Sequence, residues 1–504
     1  MRENHTLRGI TRRDFLAGAA AVAGAAALPA SAVADFDGAV ARGNRYRLQR
    51  AIVEDRFGMF IHFNMGTFHD MEWVNPNQDP RSFNPTALDC GQWADAARAA
   101  GMRFAVLTAK HHDGFCLWPS KFTTYNVMSS SYPHDVVGQY MEAFRDRDVT
   151  PGLYFSIWDR TQGVPSQVPA TAADMEFIKG QLTELLTGYG PIPLLIFDGW
   201  DWQMGHHTVP YGEIRTHVAS LQPDCLMLDL NGLSVPWESD LLFYEEPKGG
   251  IFCPTGNTYA ATQGQSISWS GWFWHPSTPA TVRGAQDIVG GHLEVLEPRY
   301  STFILNCPPN MQGLLDQSIV DVLHQVGGMW RPDPTRPPLP PQPDVLKYPV
   351  TPVSAIATSG NPALAIDGMS DFGWNGEATQ TLWTSEGPLP QSVTLDLGGV
   401  YSGVDMLTCL PRQDTATPFV LANFDTAGNI TAYRVSVSED GTRFGEVARG
   451  QWAADHTLKQ ARFGPARARY LRLEALATAD GGAAVASEID CGGAEDPPRG
   501  GEPR

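Results

Sequence analysis

The sequence lacks several features that would assign it to common classes of protein. Its seven cysteines include no CxxC pair, which argues against a zinc site or a disulfide framework, and their odd number leaves at least one thiol outside any intrachain pair. Lys and Arg number 36 against 55 Asp and Glu, and the net charge of −19 argues against nucleic acid or an anionic membrane as the main partner. No GxGxxG follows an apolar run and no HExxH occurs, so dinucleotide-binding and zinc-peptidase motifs are missing.

Long apolar runs are scarce as well. Beyond residue 34 none approaches the ~18 residues that a transmembrane helix needs. At the amino terminus, a basic region that contains Arg12 and Arg13 precedes an alanine-rich stretch and the small residues 32–34, which together form the pattern of a signal peptide. The Arg pair before Phe15 and Leu16 resembles a twin-arginine export signal, with an ordinary secretory signal as the alternative. Residues 1–34 are therefore expected to lie outside a mature protein that a bacterium exports to the periplasm or the medium.

What the sequence does contain is a repeated alternation of short apolar runs with amphipathic stretches, between about residues 35 and 330. The alternation predicts parallel strands joined by helices, and hence an α/β fold. Helices are predicted at 90–100, 136–147 and 172–189, and strands at 58–63, 104–108, 151–155, 194–198, 226–228, 241–244, 267–269 and 303–306. Eight such units predict a (β/α)₈ TIM-like barrel, with an open doubly wound sheet as the alternative.

A change of pattern marks a second domain. Residues 331–350 contain eight prolines and predict a stiff, extended linker. Beyond it, apolar and polar residues alternate with a period of two in 392–397, 433–438 and 470–473, which predicts an antiparallel β-sandwich over 351–492. The Pro- and Gly-rich residues 493–504 are expected to be a disordered tail.

Asp198 is the candidate around which the first domain is organised. The apolar residues 194–197 lead directly into this carboxylate, with Gly199 and Trp200 behind it. Burying a lone carboxylate is costly, and the carboxyl ends of barrel strands are where such enzymes keep their catalytic groups. We therefore predict that Asp198 is a catalytic nucleophile, and the alternative is an acid that caps a helix or lies in a loop.

Polar and aromatic side chains follow the other early strands at the same relative position. Hydrogen-bonding histidines beside aromatic faces indicate a sugar pocket rather than a metal site, because adjacent His residues on an extended backbone point to opposite faces. The candidate substrate-binding residues are His62, Glu72, Trp73, His111, His112 and Tyr154. His206 and His207 are assigned to the leaving-group side of the same pocket.

By these residues the chain resembles the α-L-fucosidases of glycoside hydrolase family 29. The motifs that carry the resemblance are FGMFIHF, EW, TAKHHDGFCLWPSKFTTYNV, GLYFSIWDR and LLIFDGW, in this order. The resemblance implies an exo-acting retaining hydrolase without a metal or other cofactor, whose partners are fucosylated glycans. It also implies that Asp198 is the nucleophile and that the pocket contains the six residues named above. The chain departs from the commoner family pattern at Ile196, where many members carry Trp.

A retaining hydrolase needs a second carboxyl group. Residues 240–246 end in Glu245 and Glu246 and resemble a Tyr-Glu segment of some family members, so Glu245 is the predicted acid/base and Glu246 the alternative. The run Trp272, Phe273 and Trp274 is predicted to form an aromatic wall of the cleft, with Trp274 as its substrate-binding residue.

The second domain resembles the coagulation-factor type C, or discoidin-like, sandwich through its motifs at 365–368, 382–385, 394–398 and 434–441. The resemblance implies either sugar binding or a purely structural role, and Trp383 is expected in its core. Two rivals to an α-L-fucosidase remain. One is an exo-glycosidase for another sugar such as α-L-galactose, and the other is a catalytically silent carbohydrate-binding protein.

Overall fold

The computed structural model describes residues 45–164, 168–204, 208–230, 239–247, 252–253, 255–342, 346, 348–368, 382–412, 425–494 and 498–500. The predicted signal peptide and the pair His206 and His207 lie outside these residues. None of the helices within them is long and apolar enough to cross a lipid bilayer.

The first half of the described chain is a nearly closed barrel of eight parallel strands, as the sequence predicts. In spatial order the strands are β5-β4-β3-β2-β1-β8-β7-β6. Their bounds are β1 (Phe57–Ile61), β2 (Phe104–Lys110), β3 (Thr150–Ser156), β4 (Leu194–Asp198), β5 (Leu226–Asp229), β6 (Leu242–Glu245), β7 (Ala261–Ser266) and β8 (Ser301–Asn306).

Helices cover much of the outer face of this barrel. They are α1 (45–55), α2 (Met65–His69), α3 (Cys90–Ala100), α4 (Val136–Arg145), α5 (Ala172–Gly188), α6 (Tyr211–Leu221) and α7 (Gln317–Met329), together with an irregular helical segment at 287–299. Asp89 and Asp135 accept backbone hydrogen bonds at the starts of α3 and α4, and Thr171 and Asp174 form a capping box at the start of α5.

Because side chains alternate along a strand, the barrel has two apolar cores. The inner core fills the barrel with side chains from successive strands: Phe60, Val106, Tyr154, Ile196, Leu228, Phe243 and Ile304. The outer core lies between strands and helices and contains the intervening residues, such as Met59, Leu107, Phe155 and Phe197. Continuous apolar runs were therefore a correct signal for strands buried on both faces.

The seventh strand is the one that the sequence misplaced. We predicted it at 267–269, whereas β7 ends at Ser266. Its polar residues are buried because the fold satisfies them: the Thr262 hydroxyl lies 2.9 Å from that of Thr302, and the Gln263 side chain accepts a 2.8 Å bond from the Cys253 amide. Buried polar groups with partners are tolerated, but they leave no apolar run in the sequence.

Strands β5 and β6 form the two ends of the sheet, and a side chain bridges them. The Asp240 carboxylate accepts a 2.8 Å hydrogen bond from the Met227 amide, and the Asp240 amide donates to the Met227 carbonyl at 2.7 Å. Arg45 and Arg215 both bond the same buried carboxylate, at 2.6 and 2.7 Å. The ion pairs compensate the burial of this charge and fix the start of β6.

The proline-rich segment packs against the barrel instead of forming a free spacer. Arg336 donates to the carbonyls of Val53 and Glu297 at 3.0 and 3.2 Å. Leu339 is buried in the inner core, and the Gln342 side chain accepts a 2.8 Å bond from the Ala260 amide.

The second half is an antiparallel sandwich, as predicted. Strands β14-β13-β15-β12-β17-β9 lie side by side, β10 and β18 pair with β12, and β11 pairs with β16. Trp383 is buried in its core. Arg499 and Gly500 pair with Ser402 and Tyr401, so part of the tail predicted as disordered extends the sheet. The strands are β9 (Tyr348–Pro349), β10 (Ser354–Ala357), β11 (Trp383–Thr384), β12 (Gln391–Leu410), β13 (Ile430–Ser438), β14 (Gly445–Gln451), β15 (Lys459–Thr478), β16 (Val485–Ala486), β17 (Glu488–Gly493) and β18 (Arg499–Gly500).

Candidate active site

Most of the predicted site residues meet at the carboxyl ends of the barrel strands. The His62 ring, just after β1, lies 5.9 Å from the Tyr154 ring on β3 and 6.0 Å from the His111 ring after β2. His111 stacks on Tyr154 at 5.8 Å, and its ring lies 4.2 Å from that of His112. Parallel strands that end at one face of a barrel account for this convergence.

Asp198 ends β4 within this group. The Tyr154 hydroxyl donates a 2.6 Å hydrogen bond to Oδ2, and the Gly199 amide donates a 2.6 Å bond to Oδ1. The side chain keeps 15% of its surface exposed, so a ligand can still reach it. Gly199 adopts a φ of +69°, and a Cβ there would lie 2.6 Å from the Cβ of Trp158, so glycine is required behind the carboxylate.

The Tyr154 hydroxyl keeps its proton and donates it in a hydrogen bond to Asp198. Burial, followed by the negative charge of Asp198, raises the pKa of its hydroxyl well above the usual range. The charge of Glu245 also contributes to this shift, so Glu245 faces the same region as Asp198 and Tyr154.

Hydrogen bonds fix the orientation of two of the histidines. Nδ1 of His62 lies 2.8 Å from Oδ1 of Asn306, and burial lowers the pKa of His62 to about 3, so the ring is neutral at ordinary pH. Nδ1 of His112 lies 2.7 Å from Oγ of Ser156, which itself donates to the Trp158 carbonyl. The Ser156 oxygen therefore accepts from Nδ1 of His112.

The remaining nitrogen of His112 points towards Asp198. Its Nε2 lies 3.5 Å from Oδ2 of Asp198, and burial lowers the pKa of His112 although Asp198 opposes this shift. A neutral ring with its proton on Nδ1 presents a lone pair at Nε2. A ligand hydroxyl that donates to Nε2 would satisfy this lone pair beside the carboxylate.

The two glutamates at the end of β6 have different surroundings. The Trp272 indole donates a 3.2 Å hydrogen bond to Oε1 of Glu245, and the Trp272 ring lies 5.0 Å from the ring of His62. Glu246 instead pairs with His292, whose Nε2 lies 2.9 Å from Oε2. Of these two glutamates, Glu245 is therefore the one that connects, through Trp272, to His62.

The other three predicted pocket residues are Glu72, Trp73 and Trp274. Trp73 is 47% exposed, and its ring meets those of His112 and Trp158 edge-on at 6.1 and 6.0 Å. Oε1 of Glu72 accepts bonds from the Phe273 amide and from His275, at 3.3 and 3.0 Å. Trp274 donates to Asp316 at 2.7 Å, and within the same run it is Trp272 that contacts Glu245 and His62.

Several residues that orient the site escaped the sequence analysis. Asn306 holds His62, Ser156 holds His112, and His275 pairs with both Glu72 and Asp70, so that the pKa of His275 rises to about 9. Each lies at or just past the end of a strand, except His275 and Asp70, which lie in loops. Asn306 and Ser156 each follow an apolar run, as Asp198 does, and this position could have identified them from the sequence.

The sequence disfavours a metal site because adjacent histidines on an extended backbone point to opposite faces, and the structure does not show this orientation. His111 and His112 were expected to point to opposite faces, but β2 ends at Lys110 and the backbone turns there. Ligand atoms of His111, His112 and Asp198 consequently lie within 4.8 Å of one another, close enough to hold an ion. Two histidines and one carboxylate suit zinc or a similar cation, yet Nδ1 bonding of His112 to Ser156 serves hydroxyl recognition equally well.

The burial of Asp113, beside these histidines, lowers the free energy of unfolding by an amount that depends on pH. Burial raises its pKa to about 7, and its Oδ1 is buried without a hydrogen-bond partner among the described residues. The folded protein therefore binds this proton more tightly than the unfolded chain, and the free energy of unfolding falls as the pH rises from about 4 to 7.

We expect Asp113→Asn to remove this dependence. Near pH 8 the variant should unfold at a higher temperature than the parent, and its free energy of unfolding should be higher by about 4 kcal/mol at most. The difference should vanish towards about pH 4. Asp159→Asn is the matched control, because Asp159 pairs with the buried Lys110 at 3.1 Å, and the variant that lacks this partner should be destabilised at both pH values. Thermal unfolding at both pH values measures the effect, and equal destabilisation of Asp113→Asn at both would contradict it.

Comparison with known proteins agrees with this architecture. The family model described as alpha-L-fucosidase matches residues 27–331, that of the F5/8 type C domain matches 349–489, and that of the twin-arginine translocation signal matches 9–29. The amino terminus therefore carries an export signal of the predicted type.

Individual relatives agree with the family models. Alpha-L-fucosidase 1 of Arabidopsis thaliana is 33% identical over 300 residues, which cover 54% of this chain and 57% of that protein. A relative from Oryza sativa subsp. japonica is 34% identical over 294 residues, covering 53% and 55% of the two chains. The chain thus matches only about half the length of these curated relatives.

Among solved structures, alpha-L-fucosidase isoenzyme 1 from Paenibacillus thiaminolyticus superposes with a TM-score of 0.51 at 29% identity, over 57% of this chain and 75% of that one. The family model spans more than half of the sequence, from before the first barrel strand to beyond the last. The chain therefore belongs to the alpha-L-fucosidase family, and behind its barrel it carries an F5/8 type C domain.

Proposed function

We propose that this protein is a glycoside hydrolase that releases α-L-fucose from the ends of fucosylated glycans with retention of configuration. The observation that carries the proposal is a chain of side-chain contacts that connects the two acids, Asp198 and Glu245. Tyr154 bonds Asp198 and lies against His62, and Trp272 lies against His62 and bonds Glu245. Double displacement requires two carboxyl groups beside one bound sugar, and these contacts support Asp198 and Glu245 as that pair.

In the first step Asp198 attacks the anomeric carbon and forms a covalent ester. The bond from this carbon to the glycosidic oxygen breaks, and Glu245 delivers its proton to that oxygen. In the second step Glu245 removes a proton from water, the water oxygen attacks the same carbon, and Asp198 leaves as a carboxylate. Two inversions restore the original configuration.

The remaining pocket residues would bind the sugar. Neutral His62 and His112 each present a fixed nitrogen to hydroxyl groups, and the side chain of Glu72 is 37% exposed and can accept from another. Trp272 and Phe273 supply apolar faces next to His62, at ring distances of 5.0 and 5.4 Å. Apolar faces beside fixed polar groups suit a 6-deoxy sugar, whose methyl group and C–H face need apolar contact.

Hydrolysis of 4-nitrophenyl α-L-fucoside tests the proposal. We expect release of nitrophenol, and proton NMR during the first minutes should detect α-L-fucose before mutarotation produces the β anomer. First appearance of the β anomer would contradict retention. Faster hydrolysis of 4-nitrophenyl α-L-galactoside would identify the galactosidase, and binding of fucose without turnover of either substrate would identify a silent binding protein.

A further inference from the structure

The strand that carries Glu245, β6, lies at one edge of the barrel sheet. It is an end strand of the sheet, and among the described strands it pairs with β7 alone. None of the described residues between β6 and β7 is helical, although a helix usually covers a barrel strand at this point. Among the described residues, no helix that follows β6 therefore covers its outer face.

A turn of the sandwich contacts this face. Tyr244, the residue before Glu245, is fully buried, and its hydroxyl lies 3.5 Å from Nε2 of His456. Burial lowers the pKa of His456 to about 4, so the ring is neutral and Nε2 can accept from the tyrosine hydroxyl. Next to this contact, the Tyr259 hydroxyl of the barrel lies beside the side chain of Thr457.

The turn is held firmly within its own domain. It lies between β14 and β15, and the Asp455 side chain pairs with Lys459 across it. The Asp455 carbonyl accepts a 3.2 Å bond from the Asn429 side chain, and Leu458 packs in an apolar cluster with Met406 and Leu410. A turn fixed in this way can act as a rigid support for β6.

Neighbouring residues on a strand point to opposite faces, so the orientation of Tyr244 determines that of Glu245. We propose that the F5/8 type C domain positions the acid/base of the barrel, with His456 as the positioning residue that acts through Tyr244. The inference rests on the proposed role of Glu245. It gives the sandwich a task in the reaction itself, separate from any binding of glycans.

The leaving group provides a selective test. A 2,4-dinitrophenolate leaves without a proton, whereas a phenolate requires one, so a misplaced acid slows phenyl fucoside far more than dinitrophenyl fucoside. We expect His456→Ala to lower kcat/KM for phenyl α-L-fucoside by about 30-fold and for the dinitrophenyl substrate by less than about threefold. His456→Gln, which keeps a buried polar side chain, should restore part of the loss.

Leu473→Ala is the matched control, because Leu473 is buried in the sandwich core and its truncation weakens that domain without touching β6. It should leave the ratio of the two rates unchanged, and an equal ratio for His456→Ala would overturn the inference. If the alanine variant fails to fold, Tyr244→Phe removes a single oxygen and should change the ratio by about threefold in the same direction. No change in the ratio there would overturn it as well.

The parent and Glu245→Ala are measured in parallel. If Glu245→Ala itself fails to discriminate between the leaving groups, the acid/base assignment is wrong and the inference is overturned with it. If Glu245→Ala discriminates and His456→Ala does not, the proposed function stands and the positioning role is rejected.

Discussion

Replacing Asp198 by glycine is expected to lower kcat/KM for 4-nitrophenyl α-L-fucoside by at least roughly 10³-fold, because the variant lacks the carboxylate proposed to form the covalent intermediate. The position tolerates a small residue, since Tyr154 and His112 around the carboxylate are buried and held by other elements. The variant should therefore fold, and its loss of rate should be a loss of chemistry.

Added azide should restore turnover of Asp198→Gly, because it fits the space that the carboxylate leaves. Azide then attacks from the face opposite the leaving group, so the product should be β-L-fucosyl azide, which NMR identifies. Asp229→Gly is the matched control, since Asp229 ends the neighbouring strand β5 and is also buried. Azide should not rescue that variant, and rescue of it in place of Asp198→Gly would move the nucleophile to β5.

Replacing Glu245 by alanine is expected to reduce kcat/KM for phenyl α-L-fucoside by about 10²–10⁴-fold, the usual contribution of a general acid. With 2,4-dinitrophenyl α-L-fucoside the first step needs no proton, so the covalent intermediate should accumulate and appear as a burst of dinitrophenol. Azide should then attack the intermediate and give α-L-fucosyl azide, the anomer opposite to that from Asp198→Gly.

Glu246→Ala is the control for this prediction because it removes the neighbouring carboxylate, directly after the same strand. Glu246 bonds His292, so its loss should affect stability and leave the dependence on the leaving group unchanged. If the burst and the azide product appear with Glu246→Ala in place of Glu245→Ala, the two roles must be exchanged.

The sequence predicted the barrel well where strands are apolar on both faces and less well where they are not. The run 194–198 coincides with β4 because four apolar residues could be satisfied only by burial on both sides. β7, with the sequence ATQGQS, escaped because its Thr and Gln side chains are buried through hydrogen bonds with residues about ten and forty positions away. Hydropathy records burial only when the buried groups are apolar.

In the candidate site, too, the sequence predicted some features and not others. The sequence identified His62, His111, His112 and Tyr154, which the structure brings within ring contact, because residues just past parallel strands converge. It predicted an aromatic wall over the whole run 272–274, and in the structure Trp272 bonds Glu245 whereas Trp274 bonds Asp316. Three consecutive tryptophan and phenylalanine residues in a loop have no fixed period, so the direction of each ring depends on the partners that the fold supplies.

By itself the amino-acid sequence determined the fold of each domain, the export signal and the strand ends that carry acids, because these depend on local apolar runs, prolines and charges. Only the tertiary structure separated Glu245 from Glu246, turned His111 and His112 to the same side, and packed His456 of the sandwich behind Tyr244 of the barrel. These outcomes depend on contacts between residues as many as 212 positions apart. Such contacts form only when distant segments are packed together, and no local pattern encodes them.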